Sequence, residues 1–589
     1  LHAEEKINES EFAEALGLLR QSKKYFSDLN SWSGELQIDK KMGLLALRTG
    51  NIPLAMWQYI KLGEIKNLEQ LISESISKLD QQRLIPLIFG LLNIKNSTRK
   101  EKIGICTSLR KLADLMPDEL ITVVTDELIE LIALEQTKKD ALDGLKEYAR
   151  RIPSSKIKEI IDILLRLLSD DKERWTIRET VANLLNAFAD NMPNENRSRV
   201  VDILCSQLDV EYHKEKLGTI GVISSIEVAL TNIGKHSSDE LKNKVIEKIK
   251  SVPANTRHLG YLYYLGLKVT KDTITNVIDN AVSNVMDRVV IHDKNAPKPE
   301  MKSILFMTSF SLDANRMVTV GSIPEMPYLE YITNDIPPDS MKNLVDAFMN
   351  LLSNEYNIIS NKELLLNYLG TCAAVIPTSQ LDNIINKLFS FAQGNFNLSP
   401  IDQMAIESVN DPYSAYRMNM GKPEDLIVQA TDSLSKYYVR MADEQKESYI
   451  ALIHKLANHP HNELRIACAR SIKSIGRIKL DTGLILYALV SDTDDLVRAY
   501  AIDSFASSEK DDLPPVLITM FLNKALYFAS EDSSRDTMLA VANLTKTLKN
   551  KKETLSLSDR AILTNLEDIV GNSKYFSVRQ ELMAGLSGE

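Results

Sequence analysis

Along most of the chain apolar residues recur at spacings of three and four, the signature of a helix with one buried face. In residues 109–124, LRKLADLMPDELITVV, Leu109, Ala113 and Met116 stand eight, four and one residues before Pro117. The same offsets return at Leu145, Ala149 and Ile152 before Pro153, at Leu185, Ala189 and Met192 before Pro193, and at Leu369, Ala373 and Ile376 before Pro377. Offsets of four and eight lie on one helical face, and the alanine marks the point where a neighbouring helix comes close. Beyond each proline a second stripe follows at +7 and +11: Val124 and Leu128, Ile160 and Leu164, Val200 and Leu204, Ile384 and Leu388. Between the stripes, proline ends the first helix and an Asp, Ser, Asn or Thr after it favours the start of the next. Each phrase therefore predicts helix, tight turn, helix.

The first three of these prolines, Pro117, Pro153 and Pro193, follow one another at nearly equal intervals, each long enough for two helices and their turns. A hairpin of that length cannot bury both of its apolar faces alone, so it must stack on its neighbours. A second recurring phrase marks the other end of the unit. LRIACARSIKSIG (464–476) and VRAYAIDSFA (497–506) each open with an apolar residue and an arginine, Arg465 and Arg498, followed by small residues; IRETVANLLNAFA (177–189) does so through Arg178. With the acidic turns SDDKERW and SDTDDL before two of them, the pattern resembles the HEAT-repeat, or armadillo-type, family.

The resemblance implies an all-α fold, a right-handed α-α superhelix of stacked helical hairpins. It also implies a ladder of turn aspartates and helix arginines: Asp492 or Asp494 with Arg498, and Asp170 or Asp171 with Arg178. Arg465 has only Asn462 and Glu463 before it. Near the N-terminus, ALRTGNIPLAMWQYIKLG (46–63) resembles a tetratricopeptide hairpin, with Gly50 and Asn51 at the turn, Ala55 at the close contact and Tyr59 behind it. The expected organisation is an N-terminal helical cap over 1–80, a HEAT-like array over 81–290, an irregular insertion or degenerate repeats over 291–345, and a second HEAT-like array over 346–589.

Composition agrees with helices. Glycine is scarce, 22 of 589 residues, and aromatics make up 6%, while 44% apolar and 25% charged residues are ordinary for a folded chain. The net charge of −10, from 70 basic and 80 acidic residues, disfavours a dedicated polyanion binder. Two local basic strips, 93–102 and 241–250, are where nucleic acid would bind if it binds at all. The four cysteines, Cys106, Cys205, Cys372 and Cys468, lack metal or disulfide spacing and read as small buried hydrophobes of a reducing compartment. No run of about 18 apolar residues spans a bilayer, and a cytoplasmic location is expected.

No catalytic constellation emerges. His454, His459 and His461 are separated by five and two residues across a helix end and a proline, not by the four of a helical metal pair. P-loop, GxSxG, HExxH and GxGxxG patterns are all absent. Iron-dependent hydroxylases built on HEAT repeats use His-Glu dipeptides, and no histidine here precedes a glutamate. DNA glycosylases of the fold need a basic, aromatic surface, whereas this chain is acidic with only Trp32, Trp57 and Trp175, the last expected to pack in its own hairpin.

The expected function is thus a non-enzymatic scaffold or adaptor that binds other proteins through an extended curved surface, with no cofactor and no metal. The alternatives are a nucleic-acid-binding subunit of a larger assembly, or the sensor arm of a longer multidomain protein, since residue 1 is Leu rather than Met. Two segments lose the helical period, 291–340 and 393–424, and both are rich in Pro, Asn, Met and Tyr. Their tyrosines, Tyr328, Tyr331, Tyr413 and Tyr416, are the candidate partner anchors. If the alanines mark close approach, Ala149→Leu overpacks its junction and lowers stability by about 1–3 kcal/mol; a denaturant titration superimposable on the parent would refute that role.

Overall fold

The computed structural model describes residues 12–29, 32–75, 81–92, 98–213, 219–251, 256–267, 269–286, 289–293, 307–311, 316–321, 326, 329–407, 421–476, 478–508, 513–530 and 534–584. The fold is an α-solenoid of stacked helical hairpins. Two compact units compose it, Leu1–Val252 with Ser573–Ser577, and Pro253–Asn572 with Val578–Glu589.

The first unit runs through α1 (Phe12–Asp28), α2 (Trp32–Arg48), α3 (Ile52–Leu62), α4 (Ile65–Ser75), α5 (Gln81–Leu92), α6 (Arg99–Lys111), α7 (Ile121–Ile132), α8 (Lys138–Tyr148), α9 (Ser154–Ser169), α10 (Trp175–Ala187), α11 (Asn194–Tyr212), α12 (Thr219–Lys235) and α13 (Asp239–Ser251). Even-numbered α6, α8, α10 and α12 pack side by side as one layer, and α9, α11 and α13 as the other. The N-terminal helical turn at Gly50 and Asn51 joins α2 to α3: Gly50 adopts φ +67°, and the Asn51 side chain accepts from Leu54 N–H.

In the second unit α14 (Thr256–Tyr264) and α15 (Lys271–Met286) lead into three strands, β1 (Val289–Asp293), β2 (Met307–Ser311) and β3 (Arg316–Gly321). There follow α16 (Leu329–Ile332), α17 (Pro338–Ser353), α18 (Ile359–Thr371), α19 (Thr378–Ala392), α20 (Pro400–Glu407), α21 (Pro423–Tyr437), α22 (Asp443–Leu456), α23 (Asn462–Ile475), α24 (Leu480–Val490), α25 (Asp495–Ala506), α26 (Pro515–Ser530), α27 (Arg535–Lys549), α28 (Leu557–Gly571) and α29 (Phe576–Met583). Here α18, α21, α23, α25 and α27 form one layer, with α24, α26 and α28 in the other.

Both segments expected to be irregular hold regular structure. The strands make an antiparallel sheet in the order β1-β3-β2, with Ile291 opposite Val318 and Ser309 opposite Thr319. Val289, Val290 and Ile291 on one strand, and Val318, Thr319 and Val320 on another, supply the β-branched residues that a pleated surface favours. In the other segment, Ser399 and Asp402 cap α20 reciprocally, and the Asp402 carboxylate also accepts from Ile359 N–H at 3.1 Å, which ties α20 to the start of α18.

The repeat prolines share one backbone conformation. Pro117, Pro153, Pro193 and Pro377 lie at φ −56° to −60° and ψ 138° to 143° immediately before the next helical turn. The structure adds two copies of the turn. Pro337, at φ −57° and ψ 142°, opens α17, and Ala442, at φ −64° and ψ 160°, opens α22. Around them Leu329 and Ile336, and Leu434 and Met441, keep the offsets of eight and one. Ala113, Ala149, Ala189 and Ala373 are all buried, and none of the eight stripe residues at +7 and +11 has any accessible surface.

What joins consecutive repeats is a clasp of polar side chains on the carbonyls at a helix end. Such carbonyls have lost their helical partners and need donors. Tyr148 donates its hydroxyl to the Leu109 carbonyl at 2.6 Å, and Arg151 donates to the carbonyls of Ala113 at 2.7 Å and Met116 at 2.5 Å. In the second unit Tyr437 donates to Leu369 at 2.6 Å, while Arg440 donates to Ala373 at 2.6 Å and Ile376 at 2.7 Å. The acceptors are the same three repeat positions in both, and the donors are five and two residues before Pro153 and before Ala442.

Between these clasps the chain lengths differ. The three bonds join residues 39, 38 and 35 apart in the first unit and 68, 67 and 64 apart in the second, a difference of 29 each time. The segment after α19 is thus an insertion within one repeat whose two ends keep the ordinary register.

A charge ladder does run between adjacent repeats, but through other pairs than those expected for Arg498 and Arg178. Arg465 pairs with Asp492 through two bonds of 2.6 and 3.0 Å, although nothing before it in the sequence offered a carboxylate of the expected turn. Arg178 pairs with Glu211, and Lys138 with Glu173 at 2.6 Å. Arg498 pairs with Asp495 inside its own helix and takes the backbone carbonyl of Asp492 at 2.7 Å, while Asp494 caps α25 and accepts from Asn462.

Arg440→Ala strips two helix-end carbonyls of their donor and is expected to lower stability by about 2 kcal/mol, and Tyr437→Phe by about 1 kcal/mol. Hydrogen exchange should show the loss as faster exchange over 366–377; unaltered protection there in Arg440→Ala would reject the clasp.

Candidate partner-binding surface

Of the four candidate tyrosines, Tyr331 is placed. It sits on α16, half exposed, with its ring edge-on to Tyr264 at 6.3 Å between centroids. Tyr328, Tyr413 and Tyr416 lie outside the described residues. Beside Tyr264, burial together with a hydrogen bond to Asp335 pushes the Tyr263 phenol up to about 12.

A surface the sequence reading passed over is better built. In the second unit a groove of about 370 Å³ runs over α25, α27 and α29, lined by Leu496, Tyr500, Asp503, Leu539, Asn543 and Glu581 among others. The layer approaches closely because small residues, Ala499 and Ala501 on α25 and Ala540 and Ala542 on α27, are buried at the junction. That leaves larger side chains at the lip, where Leu496 and Tyr500 remain about 40% exposed. Side chains brace the groove from helix to helix. Asp503 accepts from Lys473 at 2.7 Å and from Asn543 at 2.6 Å, Lys546 reaches Glu581 at 3.0 Å, and the Arg470 guanidinium lies 5.8 Å from the Tyr500 ring centre. Its offsets are legible: Leu496, Tyr500 and Asp503 are four and three apart, a stripe facing away from the buried Val497, Ala501 and Ile502.

A wider groove of about 940 Å³ opens in the first unit between the start of α3 and α5, with Ile52, Leu54, Trp57, Pro86 and Leu87 in its walls. Trp57 is half-buried there. Trp175 is not packed away in its hairpin: at the first position of α10 it is 46% exposed, because a helix start projects its side chain beyond the stripe that faces the next layer.

The basic strip 241–250 falls on α13, and three of its four lysines are in ion pairs. Lys244 pairs with Asp202 and Lys248 with Asp209, both on α11, and Lys250 with Glu247 at 2.8 Å. Of the other strip, 93–97 lie outside the described residues, and Thr98 with Glu101 form a reciprocal cap on α6.

The reactive side chains are placed for structure. Cys106, Cys372 and Cys468 are buried and Cys205 is partly so. Burial raises all four thiols, Cys205 to about 11 and Cys106 and Cys372 to about 12, far from the thiolate form that a nucleophile requires. The His459 and His461 rings stack at 5.4 Å, and His459 gives its carbonyl to Arg465 at 2.8 Å. Among the described residues no three His, Cys, Asp or Glu side chains converge to hold a metal, and no helix is long and apolar enough to cross a membrane.

No protein-family profile and no curated protein matches the chain. Among solved structures, the karyopherin Kap121p bound to the extreme C-terminus of the protein phosphatase Cdc14p is similar at 12% identity over 98% of this chain and 72% of that one, with a TM-score of 0.38. Kap121p bound to the SUMO protease Ulp1p gives 11% identity over 97% and 70%, again at 0.38. A homology model of the full-length AP-3 complex in an intermediate open conformation gives 14% identity over 92% and 94%, at 0.29. All three TM-scores fall below 0.5, so fold and function are argued from this chain's own residues.

The raised thiols lead to a direct expectation. A disulfide reagent at pH 7.5 should modify Cys205 first and leave Cys106, Cys372 and Cys468 untouched until the protein unfolds; mass spectrometry showing rapid native labelling of Cys106 would contradict the assigned burial.

Proposed function

We propose that the chain is a non-enzymatic scaffold or adaptor that binds other proteins, with the α25–α27–α29 groove as a principal contact surface. The observation that carries this reading is the pairing of half-exposed Leu496 and Tyr500 with an acidic rim of Asp503, Asp536 and Glu581 in a groove of about 370 Å³. Apolar and aromatic side chains held on rigid helices supply the area that dominates association, and a ring of fixed charges excludes wrong partners. Lys473, Asn543 and Lys546 hold two of those carboxylates in place, so little side-chain freedom is lost on binding. A polypeptide segment with one or two apolar side chains flanked by Lys or Arg fits that surface.

In this groove the carboxylates of Asp503 and Glu581 are balanced by Lys473 and Lys546, leaving Asp536 to give the rim its acidic balance, and on α13 Lys244 and Lys248 are already paired with Asp202 and Asp209. Nucleic-acid binding would rely on counterion release from unpaired cations. Partner capture is therefore expected to survive nuclease treatment.

The test is affinity capture of the tagged chain with and without nuclease, in parallel with Leu496→Asp combined with Tyr500→Ala. A partner that is kept after nuclease and weakened at least about tenfold by the double variant agrees with the proposal, since losing two anchors removes more than about 1.4 kcal/mol. Loss of all bound material on nuclease treatment would transfer the function to nucleic acid. Undiminished capture by a folded double variant would remove the groove from the interface.

A further inference from the structure

Repeat geometry locates a buried lysine whose partner carboxylate is missing. Lys138, Arg178 and Lys362 occupy one repeat position, equally far ahead of Pro153, Pro193 and Pro377. All three side chains are buried at the start of the first helix of the pair. Lys138 reaches Glu173 at 2.6 Å and Glu135 at 2.7 Å. Asn397 follows Lys362 by the same interval as Glu173 follows Lys138, and Lys362 Nζ donates to the Asn397 backbone carbonyl at 2.9 Å. An ammonium group carries three donors; this one has a neutral oxygen where its counterpart has two carboxylates.

The position opens into a small cavity of about 160 Å³, lined by Lys362, Lys387, Asn354, Asn395, Phe391 and Phe396 among others. Lys387 comes from the next helix, α19, with its ammonium 5.6 Å from the Phe391 ring centre. Phe391 and Phe396 stack at 5.3 Å and form an apolar wall. The turn between them is fixed by Gly394 at φ +80° and by Ser390, whose hydroxyl donates to the Asn395 carbonyl at 2.6 Å. Glu355 lines the cavity too but forms no ion pair with either lysine among the described residues; buried Asp402 takes Ile359 N–H and the Ser399 hydroxyl on one oxygen, Oδ2, while its other oxygen has no hydrogen-bond partner among them and the carboxylate acts on Lys362 only through its charge.

We infer that this cavity is a binding site for one acidic side chain presented by a partner polypeptide, whose carboxylate takes the place that Glu173 holds in the equivalent repeat. Resting on the protein-binding reading above, it adds a chemically defined subsite to it. The carboxylate lies between the two ammonium groups, and the methylenes of a glutamate side chain lie along Phe391 and Phe396. The cavity is too small for a folded element, and its two cations match one anionic group.

Electrostatics give the inference a pH signature. Burial first of all, and then the neighbouring Lys387, lower the Lys362 ammonium to about 8, against the pull of Asp402 in the opposite direction; burial also lowers Lys387. An incoming carboxylate favours the protonated lysine, so affinity should be level up to about pH 7.5 and then fall by up to about tenfold per pH unit. The same shift in the free protein has the opposite sign for stability. The folded state releases the proton more readily than the unfolded one, so stability rises as pH climbs from about 8 toward the ordinary lysine value.

The experiment titrates the full chain, labelled with ¹³C-lysine, with glutarate and separately with inorganic phosphate, following the lysine ε-CH₂ signals from pH 6 to 10. Saturable glutarate binding that moves two lysine signals, raises the lower apparent pKa and disappears in both Lys362→Met and Lys387→Met is the expected result. Lys362→Met keeps the buried volume and apolar stem, and the more exposed Lys387→Met gives a second variant independent of core packing. No saturation by glutarate, binding that persists in both variants, or a preference for phosphate of more than about tenfold would each overturn the carboxylate site. A partner captured equally by the parent and by a folded Lys362→Met chain would also overturn it while leaving the scaffold function standing. Failure to capture any partner would count against the scaffold function, and the glutarate titration would still decide the subsite.

Discussion

The carbonyl groups at the end of a leading helix must find donors, and at two junctions of this chain the next repeat supplies them. Leu109, Ala113 and Met116, and again Leu369, Ala373 and Ile376, offer their oxygens to a tyrosine and an arginine of the following hairpin. A cation at the negative end of a helix is doubly favourable, since it satisfies orphan acceptors and opposes the helix dipole. The repeated alanine stands at one of the three acceptor positions and is buried in both clasps. Where the donors weaken, others substitute. Phe188 and Asn191 occupy the tyrosine and arginine positions before Pro193, Asn191 donates to the Ala149 carbonyl at 3.3 Å, and Arg197 covers the Ala189 and Met192 carbonyls from within its own repeat.

Hydrophobic stacking gives the repeats their cohesion, but it is tolerant of small slips; directional bonds to three fixed carbonyls are not. The clasp therefore sets register, while the buried stripes set affinity between layers. Departures from the repeat gain their meaning against that background. Asn397 in place of a carboxylate, and Leu496 and Tyr500 left half exposed beside buried alanines, are positions where the structural rule is relaxed while the surrounding geometry holds.

Helix, turn and stacking were legible in the sequence because they depend on short offsets: the prolines, the alanines and the apolar stripes are all visible within a single hairpin. The copies at Pro337 and Ala442 were not, since Thr333 replaces the alanine in one, and in the other Tyr438 replaces the alanine and Ala442 the proline, so that only the leucine and the apolar residue before the turn are common to all. Arg465 seemed partnerless because Asp492 lies on the far side of α24, beyond any local window. The clasp escaped for the same reason, its donors and acceptors standing on different hairpins. The strands were hidden by the Pro, Asn and Asp around them, although VVI and VTV were present. Of the expected anchors only Tyr331 is placed, and the Leu496 and Tyr500 surface was overlooked because their offsets resemble those of any amphipathic helix; exposure becomes apparent only once α25 and α27 are packed.

One repeat carries a longer stretch of chain between its clasped ends than its counterpart, yet its three bonds connect the same positions. The clasp measures distance across space and is indifferent to the length of chain that loops out between its two halves. The added stretch has in turn become part of the wall it loops from, because Asp402 and Asn397 within it hold Ile359 and Lys362 of α18.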